Sequence, residues 1–287
     1  MTVWIFYNLC MSGDPIMARL DLVQLLVGLC AALVIAFISF RFRMLSGSGA
    51  AGMIIIGGIV FGLGGIMFAI PLVFFFVSSS LLSFILTPAK RQAMLTFDKT
   101  GPRDIWQALA NGGIGAVCVI VYFVTGDFFW FFPYLAAICE AAADTWATEL
   151  GTLSRKYPVS IVSLKHVEPG RSGGVTAIGT LAALAGSVMV MLSGWSAIAA
   201  GTASLNIPVK YYLTVVNAGF AGAILDSLIG GSIQGMYRCR VCEKITEKKT
   251  HCGLTTEHVA GLRLINNDLV NLIATLFAAG AVALIVR

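Results

Sequence analysis

The apolar runs of this 287-residue chain are too long and too frequent for a water-soluble fold. A helix rises about 1.5 Å per residue, so roughly 20 apolar residues cross the ~30 Å hydrocarbon core of a bilayer. Runs of that length cover residues 21–40, 48–86, 105–125, 128–149, 173–194, 211–233 and 267–286. The second is too long for one crossing, and Gly62, Gly64 and Gly65 break it into a hairpin of two helices. The pattern predicts an all-α, polytopic integral membrane protein with about eight transmembrane helices. Composition agrees: 58% of the residues are hydrophobic, only 11% are charged, and the mean hydropathy is +0.89.

A net charge of +5 would suggest nucleic acid in a soluble protein, but here the basic residues report orientation. With the N-terminus outside, all but three of the 19 Lys and Arg residues fall on one side, leaving Arg19, Lys210 and Arg287 opposite. The positive-inside rule then predicts cytoplasmic loops at 87–104, 150–172 and 234–265, and both termini on the non-cytoplasmic side. Residues 1–20 read as an N-terminal extension ahead of a single membrane domain, 21–287. No signal-peptide cleavage pattern occurs, and the run ending before Arg41 and Arg43 reads as a retained first helix.

An ionisable group inside a span costs about 3 kcal/mol or more, so each one asks for a reason. The fifth span carries three, Glu140, Asp144 and Glu149. Glu140 and Asp144 are spaced i, i+4 and share a face, whereas Glu149 lies about 140° round from Asp144 and reaches the same site only from the helix end. On the predicted topology, Asp144 and Glu149 sit at the cytoplasmic end of that span. Arg103, Asp104 and Asn111 mark the same end of the fourth span, Asp226 the cytoplasmic half of the seventh, and Asn266, Asn267, Asp268 and Asn271 the start of the eighth. Four helices thus bring polar groups to one depth. Neighbouring carboxylates repel each other, and hard carboxylate oxygens with phosphate oxygens are the usual shell of Mg²⁺. A Mg²⁺ site at Asp144, with Asp226 and Asp268 as further ligands or positioning groups, competes with a reading in which the carboxylates face cytoplasmic water.

The segment Pro169-Gly170-Arg171-Ser172-Gly173-Gly174-Val175 directly precedes the sixth span. Glycines free backbone N–H groups to point at an anion, Ser172 can cap the helix, and Arg171 offers a bidentate phosphate clamp. No Walker loop and no kinase-type glycine loop is present. Gln107 and Asn111 share a face of the fourth span, where their amides either bind substrate or bridge helices. The glycines at 179, 219, 222 and 230 read as packing faces. In the third loop, Cys239-Arg-Val-Cys242 precedes His251-Cys252. That set either closes a tetrahedral Zn²⁺ site, with adjacent His and Cys as an awkward pair of ligands, or stays a reduced loop in which His251 contacts substrate.

Ala143-Asp144-Thr145-Trp146-Ala147-Thr148-Glu149-Leu150-Gly151, the Pro169–Val175 segment, Gly219-Phe220-Ala221-Gly222-Ala223-Ile224-Leu225-Asp226-Ser227 and Asn266-Asn267-Asp268-Leu269-Val270-Asn271 together resemble the DUF92 (transmembrane protein 19) family, which includes the plant phytyl-phosphate kinase. The resemblance covers the chain from about residue 21 onward, and His251-Cys252-Gly253 matches a recurring triplet in that family. It implies a nucleotide-dependent kinase that converts a prenyl monophosphate to the diphosphate, with CTP the favoured donor. Carried over, Asp144, Glu149, Asp226 and Asp268 hold Mg²⁺ and the nucleotide phosphates. Arg171 with Ser172, Gly173 and Gly174 cradles phosphate, and Thr148, Asn267 and Asn271 line the substrate site. Arg103 and Asn111 face the prenyl phosphate. A cation-coupled transporter or lipid-translocating protein is the alternative. It accords less well with polar groups near one leaflet and with the absence of a clear internal repeat. A CDP-alcohol phosphotransferase is not supported, because no D-x-x-D-G-x-x-A-R run occurs.

Overall fold

The computed structural model describes residues 20–85, 88–94, 96, 101–154, 156–201 and 207–286; all but the last residue of the 1–20 extension lies outside them. The described chain forms helices α1 (Leu22–Arg41), α2 (Gly47–Ser83), α3 (Pro88–Ala93), α4 (Ile105–Thr125), α5 (Phe131–Gly151), α6 (Ala177–Gly201), α7 (Val209–Ser232) and α8 (Asn267–Ile285). Short strands fill the loops: β1 (Val159–Ser160), β2 (Gly174–Val175), β3 (Met236–Arg238), β4 (Ile245–Thr246), β5 (Thr250–His251), β6 (Leu254–Thr255) and β7 (Glu257–Ala260). Six of the helices, α1, α2, α4, α6, α7 and α8, are long and apolar enough to cross a membrane. A count of eight is reached only by dividing α2 and by including α5, whose three carboxylates make it less apolar.

α2 divides at Gly65, which has φ +73° inside a 37-residue helix. Only glycine takes that conformation without strain. Both ends of α2 return to one residue: Ser46 N–H, at its start, donates to the Arg103 carbonyl (3.0 Å), while the Arg103 guanidinium donates to Ser80 Oγ (3.1 Å), near its end. The segment is therefore a hairpin. Its fold-back exposes carbonyls, and Gln24 of α1 donates its amide to one of them, Gly62 O (2.9 Å).

α5 is the axis of the bundle. Every residue from Phe131 to Ala143 is buried, and α2, α4, α6, α7 and α8 all pack on it. Close approach comes from small residues on the neighbours. A Cβ at Gly219 would lie 2.6 Å from Cys139 Cβ, and one at Gly222 would lie 2.5 Å from Glu140 Cγ. These glycines are packing faces, as their spacing suggested. One end of the bundle is closed by Phe68, Phe131 and Tyr134, with ring centroids 5.0–5.1 Å from Phe68. α1 turns large apolar side chains outward, Val23 and Phe37 each being 70% exposed. That pattern suits lipid rather than water.

The three polar loops meet at the opposite end. Thr96 O, in the first, accepts from Thr246 Oγ1 (2.8 Å) and Glu247 N–H (3.0 Å) of the third. Ser172 of the second loop donates to the Glu247 carboxylate. β3 pairs antiparallel with β4 and with β7, so the third loop is a small β-structured cap over α7 and α8.

A polar cavity beneath the loops

Where the loops meet the bundle lies a cavity of about 600 Å³. It is lined by Arg103, Asn111, Asp144, Thr148, Glu149, Arg171, Ser172, Gly173, Gly174, Asp226, Asn267, Asp268 and Asn271, together with Lys90, Gln234 and Glu247. Of the residues expected to share one depth, all but the helix caps Asp104 and Asn266 line this chamber. His251 is absent from its lining.

The helix starts around the cavity are built by capping side chains. Asp104 and Gln107 form a reciprocal capping box on α4, Gln107 Oε1 accepting from Asp104 N–H (3.2 Å). Gln107 thus spends its amide oxygen on helix initiation while still lining the cavity, and Asn111, one turn on, faces α8. Asn266 caps α8 by accepting from Leu269 N–H (3.0 Å). This leaves Asn267, Asp268 and Asn271 to the first turns. Asn271 lies 3.2 Å from the Asn111 amide; in the orientation that satisfies both its atoms, it donates to Asp226 Oδ2 (2.9 Å) and to Asn267 O (3.1 Å). One amide therefore ties α4, α7 and α8 together and aims the Asp226 carboxylate.

The carboxylates separate into two groups. Asp144 and Asp226 repel each other, and Glu140 feels both. Glu140 is 1% exposed, and neither of its oxygens has a hydrogen-bond partner among the described residues. A buried carboxylate without partners is costly, and two more beside it add repulsion. A cation among them would relieve both terms. Glu149 lines the same cavity but is already paired. It forms an ion pair with Lys90 and accepts from Ser83 Oγ. Lys90 also donates to the carbonyls of Leu82 (3.3 Å) and Ser83 (3.1 Å). The 140° offset from Asp144 sends Glu149 to the end of α2 and to α3, so its carboxylate is engaged in packing those elements. Desolvation lowers the pKa of Arg103, against the opposing field of Glu149. Asp144, Asp226 and Asp268 are further carboxylates that line the cavity, beside the amides of Asn267 and Asn271, and Mg²⁺ ordinarily takes only one or two carboxylates plus substrate oxygens.

The glycine turn behaves differently from the sequence expectation. α6 begins at Ala177, after β2, and its first turn is capped by Thr176, whose Oγ1 accepts from Gly179 N–H (3.0 Å). Ser172 lies outside the cap and donates to Glu247 instead. Gly170 and Gly173 have φ of +86° and +73°, and the chain here is wedged tightly: a Cβ on Gly170 would meet Ala93 O at 2.5 Å. The N–H groups of Arg171 (to Glu168 O, 3.2 Å) and Gly174 (to Arg171 O, 3.0 Å) are used within the turn. The start of α6 is thus displaced from the turn, and Arg171 is the basic side chain that the turn brings to the cavity. Arg171 is exposed at the cavity edge with no ion-pair partner among the described residues.

Sequence reasoning missed Lys90, Gln234 and Glu247. Glu247 is 8% exposed and close enough to Asp226 to repel it. It lies in a run of charged residues that gave no signal of burial.

The comparisons with known proteins agree with the architecture. The profile of the family described as "Integral membrane protein DUF92" matches residues 30–279. The chain belongs to the DUF92 family. Protein PGR of Arabidopsis thaliana is 30% identical over 278 residues, covering 89% of this chain and 94% of that protein. An uncharacterized membrane protein of Methanocaldococcus jannaschii is 29% identical over 255 residues, covering 89% and 91%. Another, from Synechocystis, is 24% identical over 153 residues, covering 53% and 57%. No solved structure matches. This DUF92 protein is thus a multi-pass integral membrane protein with a polar chamber at the loop end of its bundle.

Proposed function

We propose that this DUF92 protein is a Mg²⁺-dependent phosphotransferase that converts a prenyl monophosphate of the phytyl or geranylgeranyl type to the diphosphate. Its donor is a nucleoside triphosphate, CTP in first place. The observation that carries the reading is the chamber itself. Acidic groups suited to a divalent cation and basic groups suited to phosphates line one space, at the end of an apolar bundle where a lipid tail can lie between helices. On the positive-inside distribution, that chamber opens to the cytoplasm, where nucleotides are.

In this reading the acceptor is already ionised and needs no strong base. An oxygen of the prenyl phosphate forms the new bond to the terminal phosphorus of the donor, the bridging P–O bond breaks, and the nucleoside diphosphate leaves. Arg171 and Arg103 hold phosphate oxygens, and Asn111 and Asn271 keep Asp226 aimed inward. Asp144, Asp226 and Asp268 would hold Mg²⁺, which supplies charge neutralisation on the phosphates. Thr148 and Asn267 contribute polar contacts at the wall.

The test is direct. Purified protein with Mg²⁺, CTP and phytyl or geranylgeranyl monophosphate is expected to form the diphosphate, and Asp144→Asn to reduce turnover about 100-fold or more, as loss of a transition-state charge contact does. Turnover unchanged by Asp144→Asn would sink the site assignment. The partnerless burial of Glu140 favours a second reading, a cation-coupled transporter in which that carboxylate carries the coupling ion. Ion-dependent lipid counterflow in proteoliposomes, abolished by Glu140→Gln and without diphosphate formation, would select it.

A further inference from the structure

The four ligating side chains of the third loop lie outside the cavity and have no part in the reading above. Cys239, Cys242, His251 and Cys252 each offer one ligand atom, and all these atoms lie within 4.8 Å of one another. Among the described residues they are the one group of three or more such side chains with this property. Cys242 Sγ and Cys252 Sγ are 3.9 Å apart; His251 Nδ1 is 3.5 Å from Cys242 Sγ and 3.2 Å from Cys252 Sγ. A tetrahedral zinc with Zn–S of ~2.3 Å and Zn–N of ~2.0 Å has edges of roughly 3.8 Å between sulfurs and roughly 3.5 Å between sulfur and nitrogen. The three edges among Cys242, His251 and Cys252 match those values to within about 0.3 Å, and Cys239 Sγ lies within 4.8 Å of all three ligand atoms. A disulfide, at about 2.05 Å, is excluded between Cys242 and Cys252 in this geometry.

The backbone is bent to deliver these ligands. Adjacent His and Cys ligands are awkward in extended chain, because alternate side chains point to opposite faces. Here Cys252 and Gly253 are the two turn residues of the β5–β6 hairpin, with φ of +51° and +77°. That positive pair is what a two-residue hairpin turn of the primed type requires, and it swings Cys252 back beside His251. At the other ligand pair, Val241 N–H donates to Cys239 Sγ (3.4 Å) and Glu243 N–H to Cys239 O (3.0 Å), with Glu243 at φ +59°. A non-glycine residue held left-handed in each half of the cluster is strain that a bound ion would offset.

We propose that Cys239, Cys242, His251 and Cys252 bind a structural Zn²⁺ that clasps the β-cap and thereby seats Glu247 over the cavity. The cap needs such a clasp. Its strands are two to four residues long, and its buried apolar residues are Met236, Tyr237 and Cys239. Elements so short do not hold themselves together, and a metal supplies the missing core. β4 runs from the CxxC turn straight to Glu247, whose carboxylate accepts from Ser172. The zinc site stands independently of the phosphotransfer reading.

The test is metal content of the full chain, purified in detergent without chelator. About one zinc per chain is expected, with Cys242→Ser and His251→Ala each losing most of it and Cys30→Ser losing none. Exchange into Co²⁺ should give the visible bands of a tetrahedral thiolate site. Stripping the metal should speed amide exchange over β3 and β4, but not over α5. Wild-type protein that carries no zinc, and does not take it up on dialysis against Zn²⁺, overturns the proposal without recourse to any variant. So does zinc that persists in both ligand variants.

Discussion

Glu149 looked like a metal ligand from its motif, and the structure gives it a different occupation that can be weighed. Its carboxylate is 15% exposed and its partner Lys90 8% exposed, so the pair is largely dry. Replacing Glu149 by Gln keeps the shape and removes the charge, leaving the Lys90 ammonium on the Leu82 and Ser83 carbonyls and a neutral amide. Breaking a buried pair from one side costs about 3–5 kcal/mol, and the remaining acceptors argue for the lower end, about 3 kcal/mol. At roughly 2–4 °C per kcal/mol for domains of 150–250 residues, Glu149→Gln should lower the melting temperature by about 6–12 °C. The assay is thermal unfolding of purified protein in one detergent, followed by size-exclusion of the surviving fraction. The double variant Lys90→Met/Glu149→Leu should recover much of the loss, because neither charge is left buried alone. A shift below about 1 °C for Glu149→Gln, or a double variant as unstable as the sum of the singles, would refute the reasoning. It would leave Glu149 available as a ligand at the cavity wall.

Two further outcomes follow from the glycine turn. Gly173→Ala puts a Cβ at φ +73°, against the Gly231 backbone and 2.8 Å from Ser227 O, so it should cost about 2–5 kcal/mol and visibly lower thermal stability. Gly113→Ala, with nothing within 4 Å of its new Cβ, is the control, and equal melting temperatures for the two would contradict the wedge. Arg171→Ala should leave stability unchanged, because the side chain is exposed and without an ion-pair partner, but raise the KM for the nucleotide about tenfold, the equivalent of ~1.4 kcal/mol. A lower melting temperature with unchanged KM would make Arg171 structural.

Much of the architecture was legible because membrane insertion imposes a one-dimensional rule: apolar length sets a span, and loop charge sets its direction. The break at Gly65, the loop boundaries and the convergence of Asp144, Asn111, Asp226 and Asp268 at one depth all follow from that rule. The helical phase likewise puts Asp144 and Glu149 at different angles, since a helix fixes angle as firmly as height, and Glu149 is the one that pairs with Lys90. What the sequence could not give was partnership. Whether Glu149 faces an ion or Lys90, and whether Ser172 caps α6 or meets Glu247, depend on which loop residue arrives beside each one. Those loops have no periodicity to read. The adjacent His251 and Cys252 looked poorly disposed as ligands until a two-residue hairpin turned them together. The chain alone thus determined a helical membrane bundle with polar groups at one end, because hydrophobic length and helical phase are local properties. Only the tertiary structure decided which of those groups share the cavity, which are consumed in holding it, and that the cap brings a further carboxylate, Glu247, over its mouth, because charge pairing and loop closure join residues far apart in sequence.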